Sequence, residues 1–181
     1  FYLPFGSGPY PLYKTQIGKR AIMDLINQAK RYLYVTTPYL IVDYDLTEAL
    51  CGAAGRGVDV RIITPGVADK RMIKLITKSA YPNLLTRGVK VYEYTPGFIH
   101  EKTLVCDGEY ALISTINLDY RSLVHHFENA VWICGDPVLS EIRDDLLDTL
   151  GKSEEISPKK LSASPPRRLL RSLLRIFSPL L

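Results

Sequence analysis

His100-Glu101-Lys102-Thr103-Leu104-Val105-Cys106-Asp107 is followed, after six residues, by Ser114-Thr115-Ile116-Asn117. On an extended run, side chains two apart project to the same side, so the His100 imidazole and the Lys102 ammonium face one spot. That pairing suits a phosphate. Asp107-Gly108 separates residues 103–106 from residues 110–113, and Asp-Gly is a favoured two-residue hairpin turn, so the two strands are expected to pair directly. With Cys106 facing Glu109, Lys102 falls opposite Ile113 and His100 opposite Thr115, with Asn117 diagonal to His100 on the same face. An imidazole, an ammonium, a hydroxyl and an amide then converge. A three-residue loop would change the parity, set Ile116 across from His100 and scatter the group. Each residue also has an ordinary role: a strand-start histidine, an edge lysine, and for Asp107 a turn residue, a role it keeps under either reading.

A phosphodiester under attack gathers negative charge on its nonbridging oxygens, and fixed cations and amide donors stabilise that charge. Lys102 and Asn117 fit this task. His100 can act as nucleophile, through a phosphohistidine, or as general acid to the leaving alcohol. No cofactor is called for: no second Asp/Glu/His cluster with metal-ligand spacing is visible, so metal-ion catalysis is not indicated.

Composition sets the frame. At 181 residues, 46% hydrophobic and 23% charged, the chain is long enough for one domain with a sizeable core. Cys51, Cys106 and Cys134 stand far apart with no C-x-x-C pair, which favours reduced thiols in a cytoplasmic setting over a disulfide or zinc framework. No run of 18 apolar residues is present to span a membrane. Residues 152–181 hold seven Lys/Arg against two Glu, a net of +5 that leaves −1 for everything before them. A nucleic-acid-binding domain would spread positive charge over its folded body, so no nucleic-acid partner is expected.

Along the chain, residues 1–14 are rich in Pro, Gly and aromatics and predict an irregular linker from an upstream half. Helical periodicity covers 15–30, a β-rich run 32–37 ends at Pro38, and Asp45 is the expected cap of a helix through Ala54. An alternating strand at 58–63, a helix at 68–85 with Pro82 perturbing its end, and a strand at 89–94 complete a β/α alternation that implies a parallel core. After the hairpin come a short helix at 119–123, a strand at 128–133 and a helix at 137–150. The expected fold class is α/β, a mixed β-sheet flanked by helices on both faces. The folded body is expected over 15–151, with 152–181 as a basic tail. In that tail Arg168, Arg171 and Arg175 recur opposite Leu169, Leu170, Leu173, Leu174 and Phe177, which reads as a short amphipathic helix suited equally to packing or to an anionic lipid surface.

The paired segments resemble the phospholipase D superfamily, whose signature is H-x-K-x4-D followed by six residues and G-S-x-N. The spacing matches throughout; the family's Gly falls on Ser114 and its Ser on Thr115, which keeps a hydroxyl. Thr37-Pro38-Tyr39-Leu40, Arg56-Gly57-Val58-Asp59-Val60-Arg61-Ile62, Pro96-Gly97-Phe98-Ile99-His100, Asn117-Leu118-Asp119-Tyr120-Arg121-Ser122 and His126-Phe127-Glu128 are similar to the C-terminal half of bacterial cardiolipin synthases. The resemblance implies His100, Lys102, Asp107 and Glu128 as catalytic, with Lys102, Thr115 and Asn117 on the substrate phosphate. Glu128 would hold the His100 ring in its tautomer, its ordinary alternative being a strand-edge ion pair with Arg121. It also implies a second copy of the histidine-lysine segment, from a missing N-terminal half or an identical subunit. Likeness to a C-terminal half then gives His100 the acid-base part. The implied reaction joins two phosphatidylglycerols, with release of glycerol, at the cytoplasmic face of a bacterial cell membrane rich in anionic lipid. The alternatives are a single-segment phosphodiesterase or nuclease working as a homodimer, and an inactive membrane-surface module.

Overall fold

Apolar runs that alternate along the chain pair here into one broad sheet in the computed structural model, which describes residues 1–157. In chain order the elements are β1 (Tyr2–Ser7), α1 (Ile17–Gln28), β2 (Tyr32–Thr36), β3 (Leu40–Ile41), α2 (Tyr44–Gly55), β4 (Asp59–Pro65), α3 (Arg71–Thr86), β5 (Lys90–Tyr94), β6 (Thr103–Cys106), β7 (Tyr110–Ser114), β8 (Leu118–Asp119), β9 (Glu128–Cys134), α4 (Val138–Gly151) and β10 (Ser153–Glu155), with one π-helical turn at Arg121–His125. Eight strands form the main sheet in the order β1-β9-β7-β6-β2-β4-β5-β10, and β3 pairs separately with β8. β2, β4 and β5 run parallel, and every other pairing in the main sheet is antiparallel.

Both faces of the sheet are covered. On one, Ile22, Leu25 and Ile26 of α1, Leu46 and Leu50 of α2, and Tyr81 and Leu84 of α3 pack on Leu33, Val35, Val60, Val91, Leu104 and Leu112. On the other, Leu139, Leu146 and Leu150 of α4 meet Tyr34, Ile63, Val105, Ala111 and Ile133. This is the expected mixed α/β arrangement with helices on both faces.

Several boundaries differ from the sequence reading for identifiable reasons. Residues 1–14 open not as a linker but as the border strand β1, with Tyr2 opposite Ile133 and Ser7 opposite Glu128. Its Pro4 and Gly6 masked the β signal, yet proline is tolerated on a border strand. The cap of α2 is Asp43, whose carboxylate accepts the Leu46 N–H at 2.9 Å; Asp45 lies in the first turn and pairs with Lys19. Pro82 sits inside α3, which continues to Thr86. The body extends past residue 151: β10 adds to β5, and Ile156 is buried in the main core. The amphipathic helix expected over 167–177 lies outside the described residues.

The hairpin forms, but one residue out of the expected register. Asp107 and Gly108 both adopt positive φ, 59° and 72°, and the Glu109 N–H closes the turn on the Cys106 carbonyl at 3.1 Å. Asp107, Gly108 and Glu109 thus form a three-residue turn, so Cys106 pairs with Tyr110 and Thr103 with Ile113. The Asp107 carboxylate turns inward, where it accepts the backbone N–H groups of Lys30 at 2.7 Å and of Arg31 and Tyr32 at 2.9 Å each. Its carbonyl accepts the Arg31 guanidinium. One carboxylate thereby binds the hairpin turn to the α1–β2 junction.

Replacing Asp107 with Asn keeps a residue that tolerates positive φ but exchanges one acceptor oxygen for a donor facing backbone N–H. The expected cost is about 2 kcal/mol of unfolding free energy, the worth of a hydrogen bond to a charged group. Urea denaturation of Asp107→Asn checks this; an unchanged midpoint would show that the three contacts contribute little.

Candidate active site

Strand polarity gathers the site at one end of the sheet. Thr36 pairs with Thr103, Ser114 with Ala130, and Ser7 with Glu128, so β6 and β9 start where β1, β2 and β7 end. His100 and Lys102 lead into β6 at that end. Asp107 lies at the far end of the same strand, 5% exposed and saturated by backbone donors. The structure therefore does not bring Asp107 to the other candidates; its place is structural.

The shifted register sets Lys102 across from Ser114, whose N–H donates to the Lys102 carbonyl at 3.0 Å. Ile116, not Thr115, would follow opposite His100, the parity expected to scatter the site. The ladder, however, stops there. The Ser114 hydroxyl accepts the Ile116 N–H at 3.2 Å, and Thr115 N–H turns to the Asn129 carbonyl at 2.9 Å. The chain folds across the strand ends. Ser114, in the position of the family's glycine, spends its hydroxyl on backbone groups, so its side chain is held by the main chain.

Lys102 is the centre of the group. Only 8% exposed, its ammonium donates to the His100 carbonyl at 2.6 Å and lies 3.1 Å from His100 Nδ1. Burial pulls its pKa down, while the Glu128 and Asp119 carboxylates push the other way and help keep it charged. His100 is exposed at the rim. Burial, and next the Lys102 charge, hold its pKa below the ordinary histidine value, with Asp69 acting in opposition. A neutral ring with Nδ1 facing an ammonium carries its proton on Nε2.

Glu128, 8% exposed, does not contact His100. Its carboxylate accepts the Thr115 hydroxyl and stands 3.9 Å from His126 Nδ1. The expected Glu128–His100 pairing is thus replaced by Glu128–Thr115, and His100 Nδ1 meets Lys102 instead. Arg121 is not the partner of Glu128 either: its Nε–H donates to His126 Nε2 at 2.8 Å. Asn117 donates to the Ser122 hydroxyl at 3.1 Å, and its buried Oδ1 has no hydrogen-bond partner. A half-turn of the amide would exchange the two atoms and present a donor in the oxygen's place.

Sequence reasoning missed Asp119 and Asp69. Asp119 is 4% exposed; its carboxylate accepts the Ser122 N–H at 2.7 Å. Desolvation raises its pKa, opposed by the Ser122 hydrogen bonds. Its two-residue spacing from Asn117 was the available signal, hidden because the strand that carries it, β8, is two residues long and pairs outside the main sheet. Asp69, in the β4–α3 loop, hydrogen-bonds Tyr39 at 2.5 Å, and only the folded chain brings it near His100. Among the described residues, no group of three His, Cys, Asp or Glu side chains could hold a metal ion.

The Lys102 charge disfavours the protonated His100 ring, so Lys102→Met should let the ring protonate at higher pH. A histidine-resolved NMR titration is expected to show the His100 midpoint rising in the variant. A midpoint that stays or falls would contradict the coupling.

Comparison with known proteins accords with this geometry. Residues 22–149 match the family model described as the phospholipase D-like domain of cardiolipin synthase. Cardiolipin synthases of Geobacillus kaustophilus and Geobacillus thermodenitrificans are 38% and 36% identical over 94% of this chain, which covers 34% of each. An uncharacterised protein of Streptococcus mutans is 40% identical over the whole chain and 39% of its own length. The chain thus spans little more than a third of the curated relatives it matches. In three dimensions it resembles the phospholipase D family member Nuc of Salmonella typhimurium, with TM-score 0.72, 18% identity, and coverage of 86% of this chain and 99% of Nuc. It also resembles the phosphatidylserine synthase of Haemophilus influenzae, with TM-score 0.76, 17% identity, and coverage of 99% and 48%. The chain belongs to the family of phospholipase D-like domains of cardiolipin synthases.

Proposed function

We propose that this chain is the catalytic half of a cardiolipin synthase that moves a phosphatidyl group from one phosphatidylglycerol to a glycerol hydroxyl of another. The observation that carries this reading is the buried Lys102 ammonium in contact with the exposed His100 ring. A phosphodiester placed against Lys102 replaces the water the cation has lost and sets its phosphorus beside an imidazole. Lys102 and the Asn117 amide take the nonbridging oxygens, while the Thr115 hydroxyl, its one proton given to Glu128 and its oxygen accepting the Asn129 N–H, shapes the site beside them. Glu128 and Asp119 serve by holding Thr115 and Ser122 and by sustaining the lysine charge.

In the first step an imidazole nitrogen bonds to phosphorus, the P–O bond to glycerol breaks, and the departing oxygen takes a proton from a second imidazole. In the next, a hydroxyl of the second lipid gives its proton to that second ring and attacks phosphorus, and the P–N bond breaks. One imidazole cannot act as nucleophile and acid on the same leaving group. His100 supplies one of the two: its likeness to a C-terminal half gives it the acid-base part. The ring, neutral in the free site, takes up that part once the anionic phosphodiester offsets the Lys102 charge and lets it protonate. The other imidazole comes from a missing half. The curated relatives, nearly three times as long and named cardiolipin synthases, support this division.

A second reading has its own support: the chain covers 99% of Nuc, so two copies of this chain, each giving one histidine, would make a phosphodiesterase. The net charge of −1 over residues 1–151 favours lipid over nucleic acid.

Joined to its complementary half, the protein is expected to convert phosphatidylglycerol vesicles to cardiolipin and glycerol in equal amounts. His100→Ala should lower turnover about a thousandfold without altering the unfolding midpoint. Near-normal turnover in that variant would remove His100 from the chemistry. Phosphodiesterase activity of the chain alone that rises with protein concentration would favour the homodimer.

No described helix is long and apolar enough to cross a membrane, so lipid contact is assigned to the basic tail and to the missing half. Deleting residues 167–181 should weaken sedimentation with phosphatidylglycerol vesicles at low salt and matter little at high salt, where the charges are screened. Unchanged sedimentation at low salt would leave the tail without a role in lipid contact.

A further inference from the structure

Near the site the folded body carries an apolar surface that the proposed chemistry leaves unused. Tyr10, Leu12 and Tyr13, in the loop between β1 and α1, are 63%, 76% and 45% exposed, and Phe127, just before β9, is 69% exposed. The Tyr13 and Phe127 rings meet edge to face with centroids 6.0 Å apart, so the two segments present one patch. Side chains this exposed project from the surface instead of lining a cleft.

The patch is held in place. The Tyr10 N–H donates to the Val124 carbonyl and the Tyr13 N–H to the Pro9 carbonyl, both at 3.0 Å, which ties the loop to the π-helical turn and closes it on itself. A Cβ on Gly8 would lie 2.3 Å from the Tyr13 ring, so that ring rests on bare backbone. Phe127 adjoins Glu128, whose carboxylate acts on Lys102, and β1 ends at Ser7 opposite Glu128. The patch therefore lies at the same end of the sheet as Lys102 and His100, on the β1–β9 side of them.

The surrounding charge is positive. Residues 1–151 carry a net −1, yet residues 8–20 and 120–127 hold Lys14, Lys19, Arg20 and Arg121 and no Asp or Glu. Lys14, Arg20 and Arg121 are exposed. The acidic groups that share a groove with Tyr10 and Lys14 are Asp24, Asp45 and Glu48. Lys19 takes Asp45 and Arg87 takes Glu48, while Asp24 lies about two turns into α1. Tyrosine rings beside leucine and phenylalanine, flanked by cations, suit the headgroup level of an anionic bilayer, where hydroxyls stay wet and apolar parts enter. Protein–protein contacts, by contrast, are depleted in lysine.

We propose that Tyr10, Leu12, Tyr13 and Phe127 form the surface by which the folded body enters the interface of an anionic lipid bilayer, with Lys14 and Arg121 against the headgroups. Seated this way, the sheet end that carries Lys102 and His100 lies at the height of the lipid phosphates. The contact adds to that of the basic tail and differs in kind, being mainly apolar and persisting when salt screens charge.

The test uses the 181-residue chain with vesicles of phosphatidylglycerol and phosphatidylcholine. At high salt, the double variant Leu12→Ser, Phe127→Ser is expected to partition onto vesicles about tenfold more weakly, the worth of two partly inserted apolar side chains, with its unfolding midpoint unchanged. Phe127→Trp reports insertion directly, read against the unaltered chain, whose one tryptophan is Trp132. Its added emission should shift to the blue on vesicles and be quenched by lipid brominated near the top of the acyl chain. Leu147→Trp, on α4 at the other face of the sheet, should show neither effect. Loss of all vesicle binding by the unaltered chain at high salt, undiminished partitioning of the double variant, or a Phe127→Trp emission that vesicles leave unmoved would each overturn the surface. A shift produced by the complementary half and not by vesicles would also overturn it, making the patch a protein interface. No turnover enters these measurements. A two-half protein that binds vesicles through the patch and makes no cardiolipin refutes the reaction alone, and one that makes cardiolipin with Phe127→Trp unmoved refutes the surface alone.

Discussion

At the α1–β2 junction the Asp107 carboxylate accepts three consecutive backbone N–H groups, those of Lys30, Arg31 and Tyr32. Partly buried hydrogen bonds to a charged acceptor are stronger than neutral ones, so this one side chain fixes the hairpin turn against the start of β2. Position of the turn then fixes β6 between β2 and β7, and β6 delivers Lys102 and His100 to the opposite end of the sheet. The aspartate governs the site from the far end of the strand. The four residues between the lysine and the aspartate are the strand β6 itself, so their spacing is the length of the strand that spans the sheet.

At the other end the governing quantity is hydration. Lys102 is buried and loses hydration, and two buried carboxylates, Glu128 and Asp119, offset that loss. Neither carboxylate replaces solvent completely, since one is occupied with Thr115 and the other with Ser122. A cation left short of partners in this way gains most from an incoming oxyanion. Burial of the neighbouring imidazole, and next the Lys102 charge, hold that ring neutral, so the same desolvated cation that favours an oxyanion also bears on the protonation state of the site.

Much of this was legible in the sequence because it depended on local chemistry. The Asp-Gly turn, the alternating strands and the helical stripes follow from residue type and period, and they give the α/β class. What failed was set by contacts distant in sequence. The third turn residue, Glu109, has its carbonyl accept the N–H of Gly135, just past the end of β9, and no pattern within 100–117 announces it. Strand β1 exists because β9 offers an unpaired border. Convergence of Lys102 and Asn117 was expected from a register that the chain does not adopt; the carboxylates that act on Lys102 are Glu128 and Asp119, the latter two residues beyond Asn117. Asp69 was invisible for the same reason, belonging to a loop whose neighbours are chosen by the order of strands β2, β4 and β5.

The two outermost strands of the main sheet come from opposite ends of the described chain. β1 covers β9 with a strand interrupted by Pro4, and β10 covers β5 with only three residues. A proline and a short strand are poor templates for further pairing, so each border is blunted against a neighbouring molecule. Trimming either segment would uncover a longer, proline-free strand, seven residues in β9 and five in β5. Residues that look dispensable at the margins of the domain thereby guard it against aggregation.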